Sequence, residues 1–290
     1  MDELQLNLLL DSPLRSVVQN DRAIMAYQFF HLDRTPRNWP IQYDDGVVKV
    51  TVTGEAIATM FDLECMIYVI SLMAQKMSRG ESVDRQFHFA AGDFFRVAGW
   101  DDSGKSYKRM EEALDRLQGT KIRTNIVTGG ERTKEGFSWL DNYKLVFKED
   151  TGKLDRVSLT LCEWLWRAVK LDNNKFTYDP AYFDLPPLEK RLYEMARAHA
   201  GSKGFRMWID RLQARVGCED NPRSFKARLK KISQRRRPLP GYCFVLKECT
   251  VVNASPKRGR PAKRTMVMFF QTEKFSTTLL GDADAIPIVE

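Results

Sequence analysis

Apolar residues recur along this chain in short alternating stretches separated by longer ones with helical spacing, a pattern that predicts strands and helices together. Val47-Val-Lys-Val-Thr-Val-Thr53 alternates and is rich in β-branched residues, so it predicts a strand. From Gly54 to Met77 the spacing is helical: Ile57, Phe61, Met66, Ile70, Met73 and Met77 supply one or two core faces, and Asp62 is placed to cap a second helix. Arg85-Gln-Phe-His-Phe89 predicts a short strand, and Ala90 to Ala98 a helix ending at Gly99. A further helix is expected from about Ser106 to Gln118. Its residues Tyr107, Met110, Leu114 and Leu117 form one inward stripe, while Lys105, Lys108, Arg109 and Glu112 face elsewhere. Gly119 stops it.

Lys121-Ile-Arg-Thr-Asn-Ile-Val127 then alternates as a strand, with Phe137 to Phe147 as its partner. Between them Thr128-Gly-Gly-Glu-Arg-Thr-Lys134 predicts a hairpin turn, bringing Arg132 and Lys134 beyond Arg123 of the strand. Helix, helix, basic helix and hairpin in that order spell a winged helix, with this hairpin as the wing. Val157 to Leu161 adds a strand, and Cys162 to Lys170 a short helix.

Pro186-Pro187 marks the boundary to a second module, because prolines rarely lie within regular elements. Leu188 to His199 predicts a helix, Phe205 to Ile209 a strand, and Asp210 to Val216 a second helix. A third helix starts near Pro222, favourable at a first helical position, and buries Phe225, Leu229 and Ile232. Gly241 to Val252 and Thr265 to Phe270 are the strands of a second wing. The expected fold class is therefore α+β: two tandem winged-helix domains, each a small helical bundle with a β-hairpin wing. Residues 1–20 form an N-terminal arm, 21–185 the first domain, 186–272 the second, and 273–290 a tail.

The two modules share a sequence. Gly99-Trp-Asp-Asp-Ser-Gly-Lys-Ser-Tyr-Lys108 lies over Gly217-Cys-Glu-Asp-Asn-Pro-Arg-Ser-Phe-Lys226 without a gap. A glycine turn leading into a helix with a basic first turn is how a helix-turn-helix presents its second helix to the major groove. Candidate base readers are Lys105, Lys108 and Arg109 in the first module and Arg223, Lys226 and Lys230 in the second, with Lys231 on the same outward face.

Charge separates the modules. Residues 201–264 hold 18 Lys plus Arg against 4 Asp plus Glu, a net +14, whereas the chain as a whole carries +8. The other 226 residues therefore sum to −6, and the basic segment is the electrostatic footprint of a polyanion binder. Arg235-Arg-Arg237, Arg236 at its centre, favours the carbonyl end of the third helix and is suited to phosphate contact. Ser255-Pro-Lys-Arg-Gly-Arg-Pro-Ala-Lys-Arg264 resembles an AT-hook: Lys257, Arg258, Arg260, Lys263 and Arg264 would enter the narrow minor groove of A·T-rich DNA. Gly259 leaves room for the groove floor, and Pro261 keeps the backbone extended.

Other chemistry finds little support. Gly99-x-x-x-x-Gly104-Lys105-Ser106 satisfies the phosphate-loop pattern, but that motif follows a buried strand, and here a helix precedes it. The aligned copy places Asn221-Pro222-Arg223 there, so the repeat keeps a turn shape rather than a phosphate cradle. His31, His88 and His199 are isolated, and the five cysteines (Cys65, Cys162, Cys218, Cys243 and Cys249) lack metal-ligand spacing. No covalent chemistry, no cofactor and no metal are expected. The apolar runs are too short to span a bilayer, and the first residues lack a signal-peptide pattern, so a cytoplasmic location is expected.

Ser12-Pro-Leu-Arg, Tyr107-x-Arg-x-Glu-x-Ala-Leu-x-Arg-Leu-x-Gly-Thr-x-Ile-x-Thr-Asn125, Thr128-Gly-Gly-Glu-Arg132, Trp164-Leu-Trp-Arg-Ala168 and Leu188-Glu-Lys-Arg-Leu-Tyr-Glu194 resemble plasmid replication initiator protein A. The resemblance runs from about Ser12 to Leu246 and is most specific between Tyr107 and Asn125. It implies a bacterial initiator that binds repeated double-stranded DNA sites at a plasmid origin, helps open adjacent A·T-rich DNA and recruits the host helicase machinery. It also implies a switch between an opening monomer and a repressing homodimer. A dimeric transcriptional repressor would use the same modules, and an ATP-driven initiator would need the Gly99 motif to hold nucleotide. The methionine-rich Gly54 to Met77 region is a candidate dimer surface, with core packing the favoured explanation for most of its residues.

Overall fold

The structure is a computed structural model; it describes residues 10–130, 135–150, 152, 154–172, 175–251, 262–274 and 288. The chain divides into two compact units, Met1–Pro187 and Leu188–Glu290. Both mix strands and helices.

The first unit opens with residues 10–18 in no regular element. They are nevertheless held down. Asp11 accepts from the His88 amide at 2.7 Å and pairs with Lys76 at 2.8 Å, while the Arg15 and Ser16 amides both donate to Gln75 Oε1. The chain continues through β1 (Gln19–Asp21), α1 (Arg22–Ala26), β2 (Ile41–Asp44), β3 (Lys49–Thr53), α2 (Leu63–Ser78), β4 (Gln86–Phe89), α3 (Ala91–Ala98) and α4 (Gly104–Gly119). β5 (Lys121–Thr124), β6 (Glu135–Ser138), β7 (Leu140–Phe147), β8 (Leu154–Leu161), α5 (Glu163–Lys170), β9 (Lys175–Thr177) and a 3-10 turn (Pro180–Asp184) complete it.

α2 is the centre of this unit. Every residue from Leu63 to Gln75 is buried, as expected of a helix surrounded on all sides rather than amphipathic. It begins directly after Asp62, where the second helix of the Gly54–Met77 span is expected, and ends at Ser78. Residues 54–62 instead run as an irregular segment, bridged at Ile57 to Arg37 and at Thr59 to His31. Met66, Ile70 and Met73 are fully buried, so the proposed dimer surface is core. Nor does the Asp62 side chain cap a helix. Its carboxylate accepts from Thr59 N and Oγ1 and from the Arg116 guanidinium, bonds that reach outside its own helix.

Asp21 does cap. Its carboxylate accepts from the amides of Ala23 and Ile24 at the start of α1. Burial, aided by the nearby Asp172 charge and opposed by these amides, raises its pKa to about 6. A folded-state pKa above the unfolded value means that the folded chain binds more protons between about pH 4 and 6. Stability should therefore fall as pH rises through that window and level off above it. Asp21→Asn keeps a capping oxygen and removes the titration, so its unfolding free energy should lose this component of the pH dependence. Denaturant titrations at pH 4, 5, 6 and 7 on both proteins test this.

The sheets correct one expectation. β5 and β6 do pair as a hairpin, but inside a four-stranded antiparallel sheet of order β2-β3-β5-β6. β7 belongs to a different sheet, of order β4-β8-β7. The single strand expected over Phe137–Phe147 is thus two, parted at Trp139. Trp139 and Leu140 are adjacent and both fully buried, which a strand with one buried face does not allow. The ring of Trp139 packs against Phe29, Phe30, Phe137 and Trp164, and the chain passes from one sheet to the other around it. β5 also ends early, because the Asn125 side chain binds the backbone of Val47 and Lys49.

The second unit contains α6 (Pro187–His199, all but its first residue), β10 (Phe205–Trp208), α7 (Ile209–Val216), α8 (Pro222–Ser233), β11 (Tyr242–Val251) and β12 (Ala262–Gln271). Its sheet has the order β10-β12-β11, and the β11–β12 ladder runs unbroken from Tyr242↔Gln271 to Val251↔Ala262. Gly204 must be glycine: its φ is +72°, and an added Cβ would collide with the Phe269 carbonyl oxygen. The inward stripe Phe225, Leu229 and Ile232 of α8 is buried as the spacing predicts.

Placed in order, β4–α3–α4–β7–β8 and β10–α7–α8–β11–β12 are one plan built twice, the β5–β6 hairpin being an insertion in the first. The sheet orders β4-β8-β7 and β10-β12-β11 correspond strand for strand. The repeated glycines have one task. Gly99 (φ +68°) and Gly217 (φ +70°) end α3 and α7 in the left-handed region, and the next amide bonds back five residues, Trp100 to Phe95 and Cys218 to Gln213. The counterpart of the β11–β12 hairpin in the first unit is therefore β7–β8, whereas the hairpin that directly follows α4, with the Thr128–Lys134 turn assigned from sequence, is the inserted β5–β6.

Candidate nucleic-acid interface

The two copies of the basic helix differ in what they leave free. On α8, Asn221 caps the first turn by accepting from the Ser224 amide at 2.9 Å, and Pro222 follows at the first helical position. Burying Phe225, Leu229 and Ile232 turns Arg223, Lys230 and Lys231 outward, and all three are exposed. Lys226 faces the hairpin instead and pairs with Glu248 of β11 at 2.6 Å. That bond, with a second from Thr265, holds the Glu248 carboxyl below its usual range. Arg228 pairs with Asp220 at 2.6 Å but stays half exposed, a cation on this face that spacing alone did not single out.

Beyond the helix, Arg236 and Arg237 are exposed. Arg235 reaches back to the buried carboxylate of Glu189 on α6 at 2.8 Å, so part of its charge ties α8 to α6. On β12, Lys263 is exposed, while Arg264 lies over the Trp208 ring, 4.3 Å from its centre, and donates to both oxygens of Asp210. Lys257, Arg258 and Arg260 of the AT-hook-like segment fall outside the described residues, as do Arg132 and Lys134.

On α4 the exposed lysines are confined to the first five residues. Lys105 and Lys108 are exposed, Lys108 with Glu112 at 3.9 Å. Arg109 is not outward. Its guanidinium stacks on Trp100, 3.5 Å from the ring centre, and faces Glu64 at 3.6 Å. Trp100 also stacks with Phe95 and donates its own N–H to Glu64 at 2.7 Å. Arg109, proposed from sequence as a base reader, thus has its charge drawn onto the Trp100 ring face and the buried Glu64 carboxylate, with its side chain 41% exposed. Arg109→Ala should lower the melting temperature by about 2–8 °C, from about 1–2 kcal/mol of lost stacking and pairing. The salt dependence of any DNA binding should not change, which titrations at two ionic strengths would check.

Further along α4, Glu111, Glu112 and Asp115 are exposed where α8 carries Leu229, Lys230 and Ser233. Arg123 is exposed on β5, in the inserted hairpin rather than beside α4. The hairpin beside α4 brings Lys144 and Lys148 to the surface instead. Those two were hidden from sequence reasoning because β6 and β7 read as one strand. The phosphate-loop pattern has the geometry of a helix cap and turn. Gly99 closes α3, and the Ser106 hydroxyl, 4% exposed, donates to Asp101 at 2.6 Å.

The fold is similar to that of solved structures. Domains 2 and 3 of RctB are similar to it with a TM-score of 0.60 at 16% identity, covering 86% of this chain and 98% of that one. A second structure of the same domains gives 0.56 at 14% identity, over 89% and 99%. At that identity the likeness is one of fold. The family is fixed by sequence: the model of replication initiator protein A matches residues 19–244. A protein of Wigglesworthia glossinidia brevipalpis named as a replication protein is 31% identical over 207 residues, 69% of this chain and 74% of that protein. The chain belongs to the replication initiator protein A family, and its role lies in the initiation of replication.

Proposed function

We propose that this chain is a plasmid replication initiator that binds double-stranded DNA at repeated origin sites through two winged-helix units, with no covalent chemistry of its own. The observation that carries the reading is the outward face of α8, where Arg223, Lys230 and Lys231 are exposed together in the more basic of two like-built units. α8 lies in the major groove, Arg223 reaching base edges from the helix start, and Arg236, Arg237 and Lys263 hold phosphates. α4 enters an adjacent groove by its first turn only. Glu111, Glu112 and Asp115 keep the rest of that helix away from phosphate, so Lys105 and Lys108 make its contacts.

The segment around Lys257, Arg258 and Arg260 grips an A·T-rich minor groove beside the site. Joining two readers in one chain raises the effective concentration of the second once the first has bound. Bending between them assists opening of A·T-rich DNA, where host helicase machinery is recruited. A homodimer serves as the repressing form. Family membership supports action on DNA; the charge distribution supports the second unit as the main source of affinity.

A footprint of the purified protein, without nucleotide, on the DNA around its own gene tests this. Protection of tandem direct repeats of about two helical turns beside an A·T-rich tract is the expected result. Protection of one palindrome instead would make the chain a dimeric repressor and remove the opening mechanism.

A further inference from the structure

The first unit carries a feature that the second does not need for groove binding. A groove of about 570 Å³ lies between the first turns of α4 and the hairpin β7–β8, within the size range of small-ligand sites. Tyr107, Leu145, Phe147 and Leu154 are the large apolar residues of its lining, and Asp102 and Glu111 are its carboxylates. Phe147 is 56% exposed and has no aromatic partner among the described residues. Lys105 and Lys148 are exposed on the helix and hairpin that flank the groove, and Lys108 lines it.

These residues sort the parts of a nucleotide. The two carboxylates repel a phosphate, so the sugar–phosphate chain stays outside, where the lysines attract it. A base is uncharged, offers a flat face to an exposed phenyl ring, and in adenine, cytosine and guanine offers an amino group to a carboxylate. Asp102 is engaged by the Tyr107 hydroxyl. Glu111 is exposed and lines the same groove, and it is the acceptor available to a base.

We infer that this groove receives one nucleobase swung out of the bound duplex, stacked on Phe147 with its amino group donating to Glu111. The inference rests on the DNA-binding reading above and adds a way for binding to become local opening. Unstacking a base costs free energy that stacking on an aromatic side chain offsets, and the cost is least where the base is already unpaired.

The test uses fluorescein-labelled duplexes of the footprinted repeat, each carrying a mismatch at one position, with affinities read by anisotropy. The wild type is expected to bind one mismatched position about tenfold more tightly than the matched duplex. For Phe147→Ala that ratio should fall to about one, for Phe147→Tyr it should persist, and Glu111→Gln should reduce discrimination between an amino-bearing base and thymine there. A wild type that favours no mismatch overturns the inference. So does a preference unchanged in Phe147→Ala, which would leave the groove to a protein partner. Matched-duplex affinity reads the DNA proposal separately: if the wild type binds no duplex, that reading falls and the base site with it.

Discussion

Replacing Arg223, Lys230 and Lys231 of α8 together with alanine should weaken duplex binding by about 10²–10³-fold near 0.1 M salt. Each of the three is exposed and outside the buried Phe225–Leu229–Ile232 stripe, so the loss should fall on DNA contacts rather than on folding. The salt dependence provides the sharper reading. Every phosphate contact removed makes the plot of log affinity against log salt shallower by about 0.9, so with Lys230 and Lys231 on phosphate and Arg223 on a base edge the triple variant should lose about two in slope. Lys226→Ala is the natural contrast, because Lys226 already spends its charge on Glu248 at 2.6 Å. The double change Lys105→Ala and Lys108→Ala should cost only about tenfold, since Glu111, Glu112 and Asp115 limit how much of α4 can approach phosphate. An unchanged salt slope in the triple variant would mean that α8 does not face DNA at all.

The second large effect is on stability. Asp62→Ala should destabilise the first unit by about 3–5 kcal/mol, and lower its melting temperature by about 6–20 °C, because it strands a mostly buried guanidinium. Arg116 donates through Nε and Nη2 to the two oxygens of Asp62 at 2.9 and 2.8 Å, and the side chains are 16% and 2% exposed. The same carboxylate accepts from the Thr59 amide at 2.8 Å, so one residue ties the start of α2, the irregular segment before it and the last turns of α4. Removing both charges with apolar residues of similar size, Asp62→Leu with Arg116→Met, should recover most of the loss, since no charge then remains unpaired. Circular dichroism melts of the three proteins decide between these outcomes. A single variant as stable as the wild type would show that water reaches Arg116 freely.

Much of the helical framework could be read locally. α3, α4, α7 and α8 follow from apolar spacing and from stop signals a few residues away, and the matched glycines at 99 and 217 end α3 and α7 in the same way. The concentration of charge between residues 201 and 264 is likewise a property of composition. The hairpin beside α4 could not be read so. Alternation says that residues 137–147 are extended but not which strand each one joins, and the crossing at Trp139 depends on rings from Phe29, Phe30 and Trp164 far away in sequence.

The outward residues divide along the same line. By itself the sequence determined the repeated helix–turn–helix segments, the inward stripes of α4 and α8, and which unit carries the positive charge, because each depends on neighbours within a few turns. Contacts between distant segments draw Arg109 onto Trp100 and Glu64, fold Arg264 back on Asp210, pair Asp62 with Arg116 and stand β7–β8 beside α4. A long cation reaches any carboxylate within a few ångströms, and a strand pairs with any free edge. Which carboxylate or edge is close is set by the packing of distant segments, and that information is not local to the residue that uses it.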